Sequence, residues 1–269
     1  MNARMETMEL LREQVARIER RHSGMRSADG HFISTGLAQV DQHLQGGLLR
    51  GSVHEFCGAG SDRRVAAKPS RFIASILARS CGQVVWISGR YLDLHLAGIR
   101  AAGLNPGRLI CVETRAEDVA GLCEEVLRER GVTAVVADLD TPLSLTASRR
   151  LQLAAESGGT TGFLLHRESA APDERKLPPS ACQTRWRIRA EPCVLPFPSV
   201  PGRLPVLGPE RWQVELLRQR GGRSATWLFE IPDHVPSHPL PVAPVLAHGS
   251  LASSESAGPH PVGIGTACA

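Results

Sequence analysis

Between Gly51 and Val65 the chain reads Gly-Ser-Val-His-Glu-Phe-Cys-Gly-Ala-Gly-Ser-Asp-Arg-Arg-Val, and this stretch constrains the fold more than any other. Ser52 to Cys57 alternates as a short strand, Gly58 to Asp62 is a glycine-bearing turn, and Arg63 to Ser80 has the pattern of a helix. A strand, a glycine turn and a helix N-terminus in that order make an anion site, because free backbone N–H groups and the helix dipole converge on one point. The rest of the chain has to supply a sheet on which such a turn can sit.

The turn lacks the parts that hold a nucleotide triphosphate. That chemistry needs G-x-x-x-x-G-K-[ST], the lysine reaching the β- and γ-phosphates and the hydroxyl binding Mg²⁺. Laid from Gly58, the second glycine becomes Arg63, the lysine becomes Arg64 and the hydroxyl becomes Val65. Gly58, Gly60 and Arg64 are therefore candidates for a degenerate nucleotide site, and no cofactor is expected.

The sheet is legible on both sides of the turn. Leu37, Val40 and Leu44 share a helical face, Gly46 and Gly47 end that helix, and Gly51 turns the chain into the strand. Downstream, strands are expected at Gln83–Ser88, Arg108–Val112, Thr133–Ala137 and Thr161–His166. Helices are expected between them at Tyr91–Ala102, Arg115–Arg130 and Thr146–Glu156. Continuous apolar strands alternating with helices predict an α/β fold, a mostly parallel sheet covered on both faces. After His166 a polar, proline-rich loop runs over 167–181. Gln183–Ala190 then reads as a strand, and Arg211–Arg218 with Ala225–Ile231 as a C-terminal β-hairpin.

Two flanking segments differ from this core of residues 31–231. Residues 1–30 hold an amphipathic helix over Glu6–Arg21, with Met8, Leu11, Val15 and Ile18 on one stripe, and a polar hinge. That stripe either folds back on its own core or docks on a neighbour, which makes Leu11, Val15 and Ile18 candidate partner-binding residues. From 232 to 269 Pro, Ser, Ala, Gly and His dominate without periodicity, the composition of a disordered tail.

Totals exclude several classes. Seven cysteines, odd in number and never in a C-x-x-C pair, point to reduced thiols rather than disulfides or zinc. No run reaches membrane-spanning length, and the N-terminus lacks an apolar signal core, so a cytoplasmic protein is expected. A net charge of +4 does not by itself announce nucleic acid. With 4% aromatic residues the core is expected to be aliphatic.

Asp138 closes an apolar strand where an aspartate would hold Mg²⁺, although a strand-end aspartate also caps an ordinary turn. Arg185, Arg187 and Arg189 alternate on one strand face, read first as a solvated face and second as a phosphate or acidic-partner contact. Trp212 and Trp227 are expected to pack the sheet.

The string Ser34-Thr-Gly-Leu-Ala-Gln-Val-Asp-Gln-His-Leu-Gln-Gly-Gly-Leu-Leu-Arg-Gly51, followed at once by strand and glycine loop, resembles the lead-in to the RecA superfamily core. In that superfamily a glutamate just after the second core strand activates water; here Ser88-Gly-Arg90 stands in its place. Only 139–145 separates Asp138 from the next helix, so the first DNA-binding loop of a recombinase is essentially absent. Glu168 to Ala181, the second candidate loop, shows no basic stripe with aromatic platforms, so direct DNA binding is expected to be weak or absent.

With the lead-in, the His54-Glu55 strand, Thr133-Ala-Val-Val-Ala-Asp-Leu-Asp140 and the string from Arg211-Trp to Trp227-Leu-Phe-Glu230, the chain resembles the ImuA family over roughly residues 5 to 231. Members are RecA-like accessory proteins of the bacterial SOS mutagenesis cassette. The resemblance implies a non-enzymatic adaptor in error-prone translesion synthesis after DNA damage, partnered by the Y-family-like protein ImuB and an error-prone replicative-type polymerase. It leaves homo-oligomer formation and a RecA-like contact open. A diverged ATPase or DNA-binding protein is the alternative, and a SulA-like cell-division inhibitor is a weaker one.

Overall fold

The computed structural model describes residues 31–59, 66–167, 178–192 and 209–231. The expected N-terminal helix, Gly60 to Val65 and the tail from Pro232 lie outside them, so Gly60, Arg64, Leu11, Val15 and Ile18 receive no structural account.

The lead-in folds as its residues require. Asp41, in helix α1 (Ala38–His43), accepts from the Thr35 N–H at 2.8 Å, the Thr35 hydroxyl at 2.7 Å and the Ser34 hydroxyl at 2.6 Å. The Ser-Thr-Gly…Asp spacing is thus a local lock that sets the helix start. Strands β1 (Phe32–Ile33) and β2 (Leu48–Leu49) pair antiparallel around it. Gly47, at φ +119°, lies too close to the Ile33 carbonyl to carry a side chain.

The main sheet contains β3 (Val53–Gly58), β4 (Gln83–Ser88), β5 (Leu109–Glu113), β6 (Val132–Leu139), β7 (Thr161–His166), β8 (Thr184–Glu191), β9 (Glu210–Gln219) and β10 (Ala225–Ile231). Their spatial order is β10-β9-β8-β3-β7-β6-β4-β5. From β8 to β5 all neighbours are parallel, while β9 and β10 add an antiparallel hairpin. Eight strands, mostly parallel, with flanking helices and a C-terminal hairpin are consistent with a RecA-like α/β fold.

Each face has its own core. On one, α1, α2 (Ala67–Leu77) and α3 (Leu96–Ala101) pack with Phe56, Trp86, Phe163 and Trp186. On the other, α4 (Val119–Arg128) and α5 (Leu145–Gly158) cover Val53, Ile87, Val135 and Leu164. Val119, Cys123 and Leu127 are buried and Leu122 and Val126 half-buried, the stripe that helical spacing predicts.

Several expectations change. The few aromatics are concentrated rather than absent from the core: Phe56 stacks on Trp186 at 6.2 Å and Trp186 on Trp227 at 6.3 Å. Trp212 is buried and Trp227 half-buried, so both pack the sheet as expected. The helix expected over Tyr91–Ala102 forms only from Leu96. Residues 91–95 are non-helical because both Leu92 and Asp93 have partners elsewhere: the Leu92 N–H donates to Glu113 at 3.0 Å, and Asp93 is drawn to Arg167.

Candidate functional site

The parallel strands end along one edge, and the residues singled out there are Gly58, Ser88 to Arg90, Asp138 and the first residue after β7, Arg167. Gly58 closes β3, and the Ala59 N–H donates to the Ile188 carbonyl of β8 at 3.1 Å.

Asp138 is buried near the end of β6. Its carboxylate is covered by Arg167, whose Nε donates to both oxygens at 2.8 and 2.9 Å and whose Nη2 lies 2.8 Å from Oδ2. The same guanidinium donates to both oxygens of Asp93, at 2.9 and 2.8 Å. Arg167 is only 5% exposed and sits where β7 hands the chain on, its N–H donating to the Leu139 carbonyl at 2.9 Å. Burial raises the Asp138 carboxyl above its ordinary value, and the hydrogen bonds and charge of Arg167 offset this only in part. For Arg167, burial works against the charge and the two carboxylates outweigh it. Arginine does not release its proton near neutral pH, so a fixed positive charge lies against Asp138.

This arrangement does not fit a divalent cation. A metal at Asp138 needs the oxygens that Arg167 already occupies, and it would stand beside a fixed positive charge. Among the described residues no group of three or more His, Cys, Asp or Glu is placed to hold a metal ion.

The position where a water-activating glutamate is expected is closed as well. Ser88 is buried, Arg90 pairs with Asp140 at 2.9 Å, and a Cβ on Gly89 would lie 2.6 Å from the Ala116 Cα.

Behind the glycine turn, Glu55 of β3 meets Arg185 at 2.6 Å and His166 Nε2 at 3.5 Å. Burial alone would raise the Glu55 carboxyl, but hydrogen bonds and charge from His166 and Arg185 outweigh it and hold it at about 2. The cavity between these groups measures about 10 Å³. That is roughly one water molecule and far from a nucleotide.

Of the arginine face expected to be solvated, Arg189 is exposed, while Arg185 and Arg187 are partly buried against carboxylates. Arg185 binds Glu55, Arg187 binds Glu215, and Arg189 binds Gln213 and Glu191. Arg185 and Arg187 are thus partners of carboxylates on β3 and β9, and Arg189 pairs at the surface with groups on β8 and β9.

Sequence reading found Asp138 and missed Arg167 and Asp93, which it placed in a loop and a helix. A signal was present: an arginine directly after a continuous apolar strand, beside a strand that ends in aspartate. Gly58 and Asp138 do come to the same edge of the sheet. The clamp on Asp138 sets what that edge can do.

No helix among the described residues is long and apolar enough to cross a membrane. No established family profile matches the chain. Two curated relatives do, both named Protein ImuA, from Caulobacter vibrioides strains NA1000 / CB15N and ATCC 19089 / CIP 103742 / CB 15. Each is 39% identical over 222 residues, covering 78% of this chain and 88% of the relative. At that identity and coverage, the chain belongs to the ImuA family.

Proposed function

We propose that this protein is a non-enzymatic, RecA-like accessory protein of SOS-induced, error-prone translesion DNA synthesis, working through protein contacts. The observation that carries the reading is the Arg167 guanidinium laid over both oxygens of Asp138. Where a nucleotide-dependent enzyme needs a carboxylate open to a metal, this chain has an internal ion pair. Family membership supplies the setting: an ImuB-like Y-family protein and an error-prone replicative-type polymerase are the proposed partners. Gly58, Gly60, Arg64 and Asp138 are read as the vestige of a nucleotide site. Leu11, Val15 and Ile18 are the proposed contact stripe, burying about 1.5–3 kcal/mol per large side chain when docked.

One preparation tests both halves. Purified protein should show no ATP hydrolysis above background, and it should co-purify with an ImuB-like Y-family protein expressed alongside it. Leu11→Asp with Val15→Asp should abolish that co-purification while the protein still folds. Hydrolysis that Asp138→Asn abolishes would favour the diverged ATPase instead. Filamentation of undamaged cells on overexpression would favour a division inhibitor.

A further inference from the structure

Strand β10 closes one end of the main sheet. Each residue from Ala225 to Ile231 pairs with β9, without the irregularity that interrupts the pairing of β8 with β9. In an antiparallel strand each residue turns its N–H and C=O to one side, and successive residues turn to opposite sides. Pairing with β9 alone therefore leaves a row of backbone donors and acceptors on the outer side of β10. Among the described residues nothing bonds to that row.

Sheet edges that stay single are guarded by lysine, proline, a bulge, an inward charge or a covering element. β10 runs in straight register and holds one charged residue, Glu230, whose charge Arg211 answers at 3.8 Å. Its two faces are already sorted. Trp227, Phe229 and Ile231 are half-buried toward α1, where His43 meets Trp227 edge-on at 5.3 Å. Thr226, Leu228 and Glu230 are exposed on the other face, Leu228 by 52%.

This edge complements itself. A twofold axis through Leu228, perpendicular to the sheet, sets Trp227 opposite Phe229, Ala225 opposite Ile231 and Thr226 opposite Glu230. Each residue then meets one from its own face, and Leu228 meets its own copy. Cross-strand aromatic pairs stabilise a ladder and opposed like charges destabilise it, so this register has the first and avoids the second. Any other residue at the centre pairs fewer of the strand's residues, and Glu230 at the centre would oppose two carboxylates.

We infer that β10 pairs antiparallel with β10 of a second copy of this chain, so that two eight-stranded sheets run on as one. The pairing reverses strand direction across the axis and points the two Asp138 edges opposite ways. A single strand pairing buries less than a standard interface, so the dimer is reversible and forms with rising concentration. The inference is independent of the adaptor reading, since it concerns how the chain meets itself.

The test is sedimentation equilibrium on the full-length protein across a dilution series. The expected result is a mass that rises from one chain toward two. Leu228→Lys sets two like charges together on the axis and should weaken association about tenfold or more. Leu228→Glu should do the same, and an equimolar mixture of the two variants should recover the dimer. Ile110→Lys, at an exposed position on the opposite edge strand β5, should leave association unchanged. Far-UV circular dichroism and an unchanged urea midpoint establish that the variants are folded. Under mild oxidation Leu228→Cys should gain an intermolecular disulfide that the parent protein lacks. Thr226→Cys should not, because the two copies of that position lie about 13 Å apart along the ladder. A single-chain mass at every concentration overturns the inference. So does a dimer that Ile110→Lys dissociates and Leu228→Lys does not. A monomer whose Leu228→Lys variant no longer co-purifies with the ImuB-like protein gives the edge to a partner's strand and overturns it likewise.

Discussion

Arg167 donates from Nε to both carboxylate oxygens of Asp138, at 2.8 and 2.9 Å, and turns its remaining nitrogens to Asp93. One side chain therefore joins the ends of β6 and β7 to the segment that follows β4. A guanidinium cannot exchange coordination as a hydrated metal ion does, so the linkage is fixed. The linkage holds this edge of the sheet together.

The cost of breaking this linkage depends on which member is removed. Arg167→Ala leaves the Asp138 carboxylate buried and unpaired, and should destabilise by about 3–5 kcal/mol. Asp93 is half-exposed, so water replaces much of what it gives and Asp93→Ala should cost less than about 1 kcal/mol. Asp138→Asn added to Arg167→Ala should recover part of the larger loss, because the orphaned charge is gone. Urea unfolding of the three variants measures this. Equal stability of Arg167→Ala and wild type would show that the ion pair is incidental.

Gly89 answers whether the hydrolytic glutamate can be put back. A Cβ there meets the Ala116 Cα at 2.6 Å and Val119 Cγ2 at 3.1 Å, and the first contact is backbone that cannot step aside alone. Gly89→Ala should cost about 1–3 kcal/mol by overpacking. Gly89→Glu should cost at least as much and confer no ATP hydrolysis. A Gly89→Glu protein with an unchanged urea midpoint would show that the strand end has room the geometry denies.

Strands were legible because each leaves a local signature: Gln83–Ser88 and Thr161–His166 form over the expected spans. The Ser34-Thr-Gly…Asp41 lock was legible as a motif, though its hydrogen bonds were not. What stayed hidden depends on pairs distant in the chain. Asp93 and Arg167 lie 74 residues apart, and Arg185 and Glu55 lie 130 apart. A residue drawn to a distant partner loses the conformation its neighbours favour, which is why helix α3 starts only at Leu96, and Arg185 and Arg187 are partly buried for the same reason. Periodicity reports which face a residue takes and carries no information about which charge waits there.

Buried titratable groups on β3 set the pH dependence of stability in two separate windows. His54 lies in a closed chain of hydrogen bonds. Trp186 Nε1 donates to the Thr184 hydroxyl at 2.7 Å, that hydroxyl donates to His54 Nδ1 at 2.7 Å, and His54 Nε2 donates to the Leu49 carbonyl at 2.9 Å. Every polar atom in it is used by a neutral imidazole. Burial lowers the His54 pKa from 6.5 to about 4, against a smaller opposing effect of the Leu49 bond. The unfolded chain therefore binds the proton more readily, and stability is full above pH 6.5 and falls as pH drops toward 4. The loss across that window should be about 3 kcal/mol. Glu55 acts lower. Its folded value of about 2 lies below the ordinary 4.5, so its contribution is intact above pH 4.5 and disappears as pH falls toward 2. His54→Gln keeps an acceptor for Thr184 and a donor for Leu49 but cannot be protonated. It should flatten the curve between pH 6.5 and 4 and leave the lower fall in place. Urea midpoints measured at pH 7, 5.5 and 4 distinguish the two. A His54→Gln midpoint that changes between pH 7 and pH 4 as much as the wild-type midpoint does would mean that His54 takes up its proton without cost.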